Sequence, residues 1–253
     1  MALHDAILLF AGGVLAGVIN VIAGGAGFMT FPLLLAAGMT EVEANASNFV
    51  AVLPANIVGT WVYRRELATM QKNLGLRLAL SAIGGLIGSL ILTHTGQASF
   101  QSAIPWLLLF ATTTFAIGPR IKAAVEAYPA FNRDNWTWLQ LTLEFCVYIY
   151  AGYFGLGMGI ILFAIYGVFS TMTIHQGNSI RNITTSLSSL VAIAIFIGSG
   201  LIRWVPSLIM MSGAIAGGYI AVRAAKRLPA TWVRVAILTW AICLTALAFE
   251  RYM

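Results

Sequence analysis

Apolar residues run almost without interruption over 6–23, 46–63, 74–93, 103–118, 136–154, 179–200, 205–222 and 232–250. Each run approaches the roughly 20 residues that a helix needs to cross a bilayer. Two shorter runs, 27–38 and 159–170, each follow a glycine cluster. At 1.5 Å per residue, a 12-residue helix covers roughly 18 Å of a hydrocarbon core about 30 Å thick. These two segments are therefore expected as half-helices or broken helices. The pattern predicts an all-α polytopic membrane protein with about eight full transmembrane helices and two short ones.

The order of features repeats. Gly24-Gly25-Ala26-Gly27 precedes the first short run, and Gly155-Leu156-Gly157-Met158-Gly159 precedes the second. An asparagine follows each cluster near the start of a long run, Asn48 in one half and Asn182 in the other. The expected organisation is a first transmembrane repeat over 1–118, a polar cytoplasmic linker over 119–135 and a second repeat over 136–253. Eleven of the fourteen Lys and Arg residues fall in three connections: Arg64, Arg65, Lys72 and Arg77; Arg120, Lys122 and Arg133; Arg223, Lys226, Arg227 and Arg234. Positive loops face the cytoplasm, which, with each short run changing sides, puts both termini outside and gives each half five membrane segments. An odd number per half makes the second repeat inverted relative to the first.

Composition closes off other classes. Of 253 residues, 60% are hydrophobic and 9% charged, with a mean hydropathy of +0.89. A water-soluble globule, a disordered chain and a nucleic-acid binder are all excluded. The net charge of +6 reads as loop charge. Cys146 and Cys243 sit in apolar runs and imply neither a disulfide framework nor a metal site. The N-terminus has no positive region of a signal peptide, so the first span is expected to remain in the mature chain. Trp61, Trp106, Trp136, Trp138, Trp204 and Trp232 fall near span ends and read as interfacial anchors.

The candidate site comes from what hydrophobicity does not explain. Unwound backbone at membrane depth is tolerated only where protein or a water-filled cavity satisfies it. Gly24, Gly25 and Gly27, with Gly155, Gly157 and Gly159, are thus read as an anion site at two helix starts, where N–H groups and the helix dipole favour negative charge. The alternative, close helix packing, is the reading for Gly84, Gly85 and Gly88. Asn178, Arg181, Asn182 and Thr185 share a polar helix face, and Asn45, Asn48 and Asn56 form a similar stripe in the first half. Arg181, a cation inside a membrane segment, is a functional candidate by default, against the plainer option of snorkelling. Glu144, mid-span, reads either as a proton carrier or as the fixed partner of an arginine. Glu41 and Glu43 are expected in a solvated outer connection, and His175 is expected to be incidental. Hydrolase, zinc-protease and phosphate-loop motifs are missing from the sequence, so no enzyme is expected.

The stretch Ala16–Phe28, then Pro32–Leu35, Glu43–Asn48 and Tyr63-Arg64-Arg65, resembles the first half of the sulfite exporter TauE/SafE family. The second half, from Ala151 through Gly159 to 178–188, resembles its repeat. Ala26 interrupts the glycine run usual in the family, and the second cluster is looser. The resemblance implies a bacterial inner-membrane permease for a sulfur-containing anion, such as sulfite, sulfoacetate or a taurine-type sulfonate. A passive anion channel and a membrane subunit of a sulfur-metabolising complex are the competing readings. The partners expected are a small anion and the lipid bilayer, with no nucleic acid and no cofactor; a homodimer is left open.

Overall fold

The computed structural model describes residues 3–22, 25–68, 73–127, 137–170, 172–224 and 230–253. Gly24, Lys72, Arg133 and Trp136, with Lys226 and Arg227, lie outside the described residues, as do the side chains of Lys122, Arg223 and Trp232. Eleven helices and no strand are found among the described residues: α1 (Leu3–Ile22), α2 (Gly27–Ala36), α3 (Glu41–Val62), α4 (Arg64–Ala68), α5 (Leu74–His94), α6 (Gln97–Ala127), α7 (Thr137–Tyr153), α8 (Met158–Phe169), α9 (Ile174–Gly198), α10 (Trp204–Ala224) and α11 (Ala230–Tyr252). Both short runs form separate helices, α2 of 10 and α8 of 12 residues, as their lengths predict.

Five described helices, α1, α5, α6, α9 and α11, are long and apolar enough to cross a membrane. The other three expected spans, α3, α7 and α10, are helical but shorter or more polar: α3 carries Glu41, Glu43 and three asparagines, and α7 has 17 residues. Large apolar side chains stand on the outside, among them Ile7 at 60%, Ile91 at 47% and Ile242 at 54% exposure. Such a surface suits lipid and would be a liability in water. Trp61, Trp106, Trp138 and Trp204 are likewise exposed.

Two expectations about connections change. The linker expected over 119–135 is partly helix, because α6 continues to Ala127; residues 128–135 lie outside the described residues. The outer connection expected around Glu41 and Glu43 is the first turn of α3. Thr40 caps that helix: its hydroxyl accepts from the Glu43 N–H (3.4 Å) while Glu43 Oε2 accepts from the Thr40 N–H (3.1 Å). This reciprocal capping box, with acidic residues in the first turn, draws the sequence into a helix. Thr173 and Gln176 make the same box at the start of α9, at 3.0 and 3.3 Å.

The chain divides into two compact units, each assembled from both sequence halves. One comprises Met1–Ala55, Leu92–Thr112 and Ile193–Met253; the other comprises Asn56–Ile91 and Thr113–Ala192. In the first unit α1 packs on α10 through Gly13 and Gly17 on one side and Gly213 and Gly217 on the other; a β-carbon at any of them would strike backbone of the facing helix. In the second unit α5 meets α7 in the same way, with Gly84, Gly85 and Gly88 against Tyr148, Ile149 and Gly152. Small residues admit this close approach of backbones. The first helix of each sequence half thus pairs with the helix before the last of the other half.

Candidate functional site

Each glycine cluster breaks a helix. Gly25, Gly155 and Gly157 have φ of +90°, +77° and +78°, a left-handed conformation open to glycine at little cost. α7 therefore stops at Tyr153 and α8 restarts at Met158, with Gly157 at its N-cap. The Tyr150 hydroxyl donates to the Leu156 carbonyl (2.5 Å), satisfying part of the unwound backbone. α2 starts at Gly27 after the N-cap residue Ala26, which is right-handed (φ −49°), so here the left-handed turn sits two residues before the helix, at Gly25. Neither short helix has a side-chain cap among the described residues; of the first N–H groups, those of Phe28 and Met29 donate to the Gly25 and Ala26 carbonyls (3.1 and 2.9 Å) and that of Ile160 to the Gly157 carbonyl (3.0 Å).

In the second unit the start of α8 faces α9. A β-carbon at Gly159 would lie 3.3 Å from Arg181 Cδ and 3.5 Å from Arg181 Nη1. Arg181 is half-buried and donates from Nη2 to Asn182 Oδ1 (3.2 Å). Among the described residues no carboxylate forms an ion pair with it. Tyr166 of α8 lies against the same helix, its ring 3.6 Å from where a β-carbon at Gly177 would stand. Asn182 is buried and lies against Gly59 of α3, where a β-carbon would stand 2.5 Å from Asn182 Nδ2. Ser186 and Ser179 of α9 extend the polar face, the first meeting Thr60 (3.5 Å) and the second donating to the Tyr63 carbonyl (3.0 Å). Asn178 is half-buried and Thr185 buried on the same helix. His175 is exposed, its ring 5.9 Å from that of Tyr63.

In the first unit Asn48 is buried and accepts a hydrogen bond from Thr30 of α2, whose hydroxyl also donates to the Ala26 carbonyl (3.1 Å). Asn45 is wholly buried on α3. The two capping boxes give a common starting point for comparing α3 with α9. Counted from Thr40 and Thr173, Asn45 matches Asn178 and Asn48 matches Arg181. Spacing from the glycine clusters matches Asn48 with Asn182 instead; the two rulers disagree because α2 has 10 residues and α8 has 12, while the connections after them are equal in length.

Glu144, wholly buried on α7, is held by Arg77 of α5 (Nη2 to Oε1, 3.2 Å). Gln140 donates to the same carboxylate at 2.9 Å and the Tyr148 hydroxyl at 3.4 Å. Arg77 is 4% exposed; its Nη1 donates to Met172 Sδ (3.7 Å), and its guanidinium lies 5.5 Å from the Tyr166 ring centre. Apolar packing by Val147, Leu162, Ile165 and Ile180 keeps the pair dry. This corrects the placement of Arg77 in a positive loop. The residue lies past Leu74, where the apolar run begins, and that position was the signal for an interior charge.

Glu41 is another correction. It is 5% exposed rather than solvated, and it accepts from Tyr252 (2.6 Å), Gln101 (3.0 Å) and Gln97. Glu43 pairs with Arg203 at 2.9 Å. Among the described residues no group of three or more His, Cys, Asp or Glu could hold a metal ion.

Residues 9–248 match the family model described as sulfite exporter TauE/SafE. A probable membrane transporter protein of Haemophilus influenzae is 23% identical over 94% of this chain and 92% of its own length. The probable membrane transporter protein YfcA of Escherichia coli is 23% identical over 83% of this chain and 77% of its own. A Sinorhizobium protein, probable membrane transporter protein ORF9, is 25% identical over 88% and 84%. No solved structure matches the chain. With a match across nearly all of its spans, the chain belongs to the sulfite exporter TauE/SafE family of multi-pass membrane transporters, not to an enzyme family.

Proposed function

We propose that this protein is a secondary transporter that moves a small sulfur-containing anion, sulfite or an organosulfonate such as sulfoacetate, across a bacterial inner membrane by alternating access. The observation that carries this reading is Arg181: a cation on a membrane-crossing helix, beside the uncapped start of α8, with an amide rather than a carboxylate as its partner. A charge in that position is expensive unless something answers it, and a bound anion does so. A sulfonate suits the donors, since three oxygens can accept from the guanidinium and from N–H groups of the unwound backbone. Asn182 orients Arg181, Asn178 and Thr185 continue the polar face, and Glu144 is the carboxylate available for a coupled proton. In the first half Gly25, Gly27, Asn45 and Asn48 are the counterparts.

Matched glycine seams, matched capping boxes and two short helices support an inverted repeat, the architecture in which rocking around a broken-helix site gives alternating access. The basic connections that remain after Arg77 is set aside support cytoplasmic loops and outward-facing termini. Counterflow of labelled sulfite, isethionate and sulfoacetate in proteoliposomes tests the proposal. Wild-type protein exchanges at least one of them, and Arg181→Gln abolishes the exchange while its melting temperature holds. Undiminished exchange by Arg181→Gln overturns the assigned role.

A further inference from the structure

The interior of the second unit contains three charges on membrane helices among its described residues: Arg77 and Arg181, both positive, and Glu144, negative. Arg77 and Glu144 neutralise each other, leaving a surplus of one positive charge at Arg181. An unbalanced charge on a half-buried membrane-helix side chain is unfavourable in either direction, so this surplus limits what can bind.

We infer, resting on the anion site proposed at Arg181, that the unit accepts one net negative charge from its cargo: a monoanion enters alone, and a dianion enters with one proton, which Glu144 takes. The proton comes from the solvent and forms an O–H bond on a Glu144 carboxylate oxygen. The ion pair with Arg77 is then dissolved, and the freed guanidinium balances the second charge of the dianion. No bond in the cargo changes.

The geometry links the two places. From α5, Arg77 faces Glu144; from α7, Tyr148 and Gln140 do; from α8, Tyr166 does. On the α9 side, Tyr166 lies against Gly177, whose β-carbon would stand 3.6 Å from its ring, and the Tyr63 carbonyl of the segment after α3 accepts from Ser179. The hydroxyls of Tyr148 and Tyr166 are 3.5 Å apart, and Tyr148 reaches Glu144 at 3.4 Å. At such separations both hydroxyls are held loosely enough to reorient, and they form a chain from the carboxylate toward the arginine. Arg77 is already only partly engaged, since its buried Nε has no hydrogen-bond partner. Tyr148 and Tyr166 therefore serve as positioning residues between a charge-sensing pair and the anion site.

The test is calorimetric titration of the purified protein near pH 7 with isethionate, a monoanion, and sulfoacetate, a dianion, in buffers of different ionisation enthalpy. The slope against buffer enthalpy counts protons taken up. The expected uptake is zero for isethionate and about one per sulfoacetate, with the sulfoacetate Kd tightening about tenfold per unit fall in pH. In Glu144→Gln the uptake for sulfoacetate falls to zero and its Kd no longer follows pH. If that variant does not fold, the double variant Arg77→Gln/Glu144→Gln leaves no unpaired ion; with no second guanidinium to free, it binds isethionate but loses sulfoacetate, and sulfoacetate binding at wild-type strength by this variant overturns the charge rule. Sulfoacetate binding without a proton in the wild type, or uptake that persists in the variants, overturns the charge rule alone. Failure of both anions to bind overturns the anion site, and the inference with it.

Discussion

Gly217→Ala tests the reason that α1 and α10 lie so close. A β-carbon at residue 217 would stand 2.7 Å from the Val14 carbonyl carbon and 2.8 Å from Val14 Cα, with the carbonyl oxygen nearer still. Ordinary contact begins at 3.4 Å, so the helices must part by at least 0.7 Å, the difference between 3.4 and 2.7. The obstacle is helix backbone, which has no rotamer to swing aside. A gap of that size forfeits roughly a quarter to a half of each dispersion contact along the seam, and the neighbouring contacts at Gly13, Gly17 and Gly213 open with it. Overpacking of this kind costs about 1–3 kcal/mol. With rigid backbone as the obstacle the cost falls in the upper half of that range, about 2–3 kcal/mol, and alanine returns about 1 kcal/mol through helix propensity, leaving a net loss of about 1–2 kcal/mol. For a chain of this size that lowers the melting temperature by roughly 2–8 °C, measured by heating aliquots of detergent-purified protein and following the surviving folded peak by size exclusion. Gly75→Ala in α5 is the control, because nothing lies within 4 Å of its β-carbon; its melting temperature holds or rises. An unchanged melting temperature for Gly217→Ala, or an equal fall for Gly75→Ala, would refute the seam as the source of the packing energy.

Gly59→Ala meets only the far end of the Asn182 side chain, so its melting temperature stays within a few degrees while anion counterflow drops as the partner of Arg181 is displaced. Removing one member of the Arg77–Glu144 pair destabilises by about 3–5 kcal/mol because it strands a buried charge, whereas the double variant Arg77→Gln/Glu144→Gln loses less than either single one; a double-mutant cycle on thermal stability measures the coupling. Tyr252→Phe removes a 2.6 Å hydrogen bond to the buried Glu41 carboxylate and costs about 1.5–3 kcal/mol, read as a lower melting temperature. Arg203→Ala breaks a pair whose arginine is 60% exposed, and its effect stays below about 1 kcal/mol in the same assay.

Much of the architecture was legible along the chain because transfer from water to lipid is decided segment by segment. Hydropathy located the long helices, and length alone marked 27–38 and 159–170 as short, separate helices. The glycine clusters marked both breaks, since glycine readily takes the positive φ found at Gly25, Gly155 and Gly157. The polar face at Asn178, Arg181, Asn182 and Thr185 followed from helical periodicity.

Pairing was not legible, because it depends on which helices meet. Arg77 looked like a loop cation until α5 closed on α7 through Gly84, Gly85 and Gly88 and brought it to Glu144. Glu41 looked solvated until the ends of α6 and α11 supplied Gln97, Gln101 and Tyr252. The capping boxes were present in the letters as Thr40 with Glu43 and Thr173 with Gln176, but only their hydrogen bonds give the common starting point from which Asn48 aligns with Arg181. By itself the sequence determined which segments prefer lipid, where the backbone must unwind and that Arg181 and Glu144 lie on apolar segments. The tertiary structure alone decided which of those charges are already balanced, because an ion's partner is set by contacts between helices far apart in the chain.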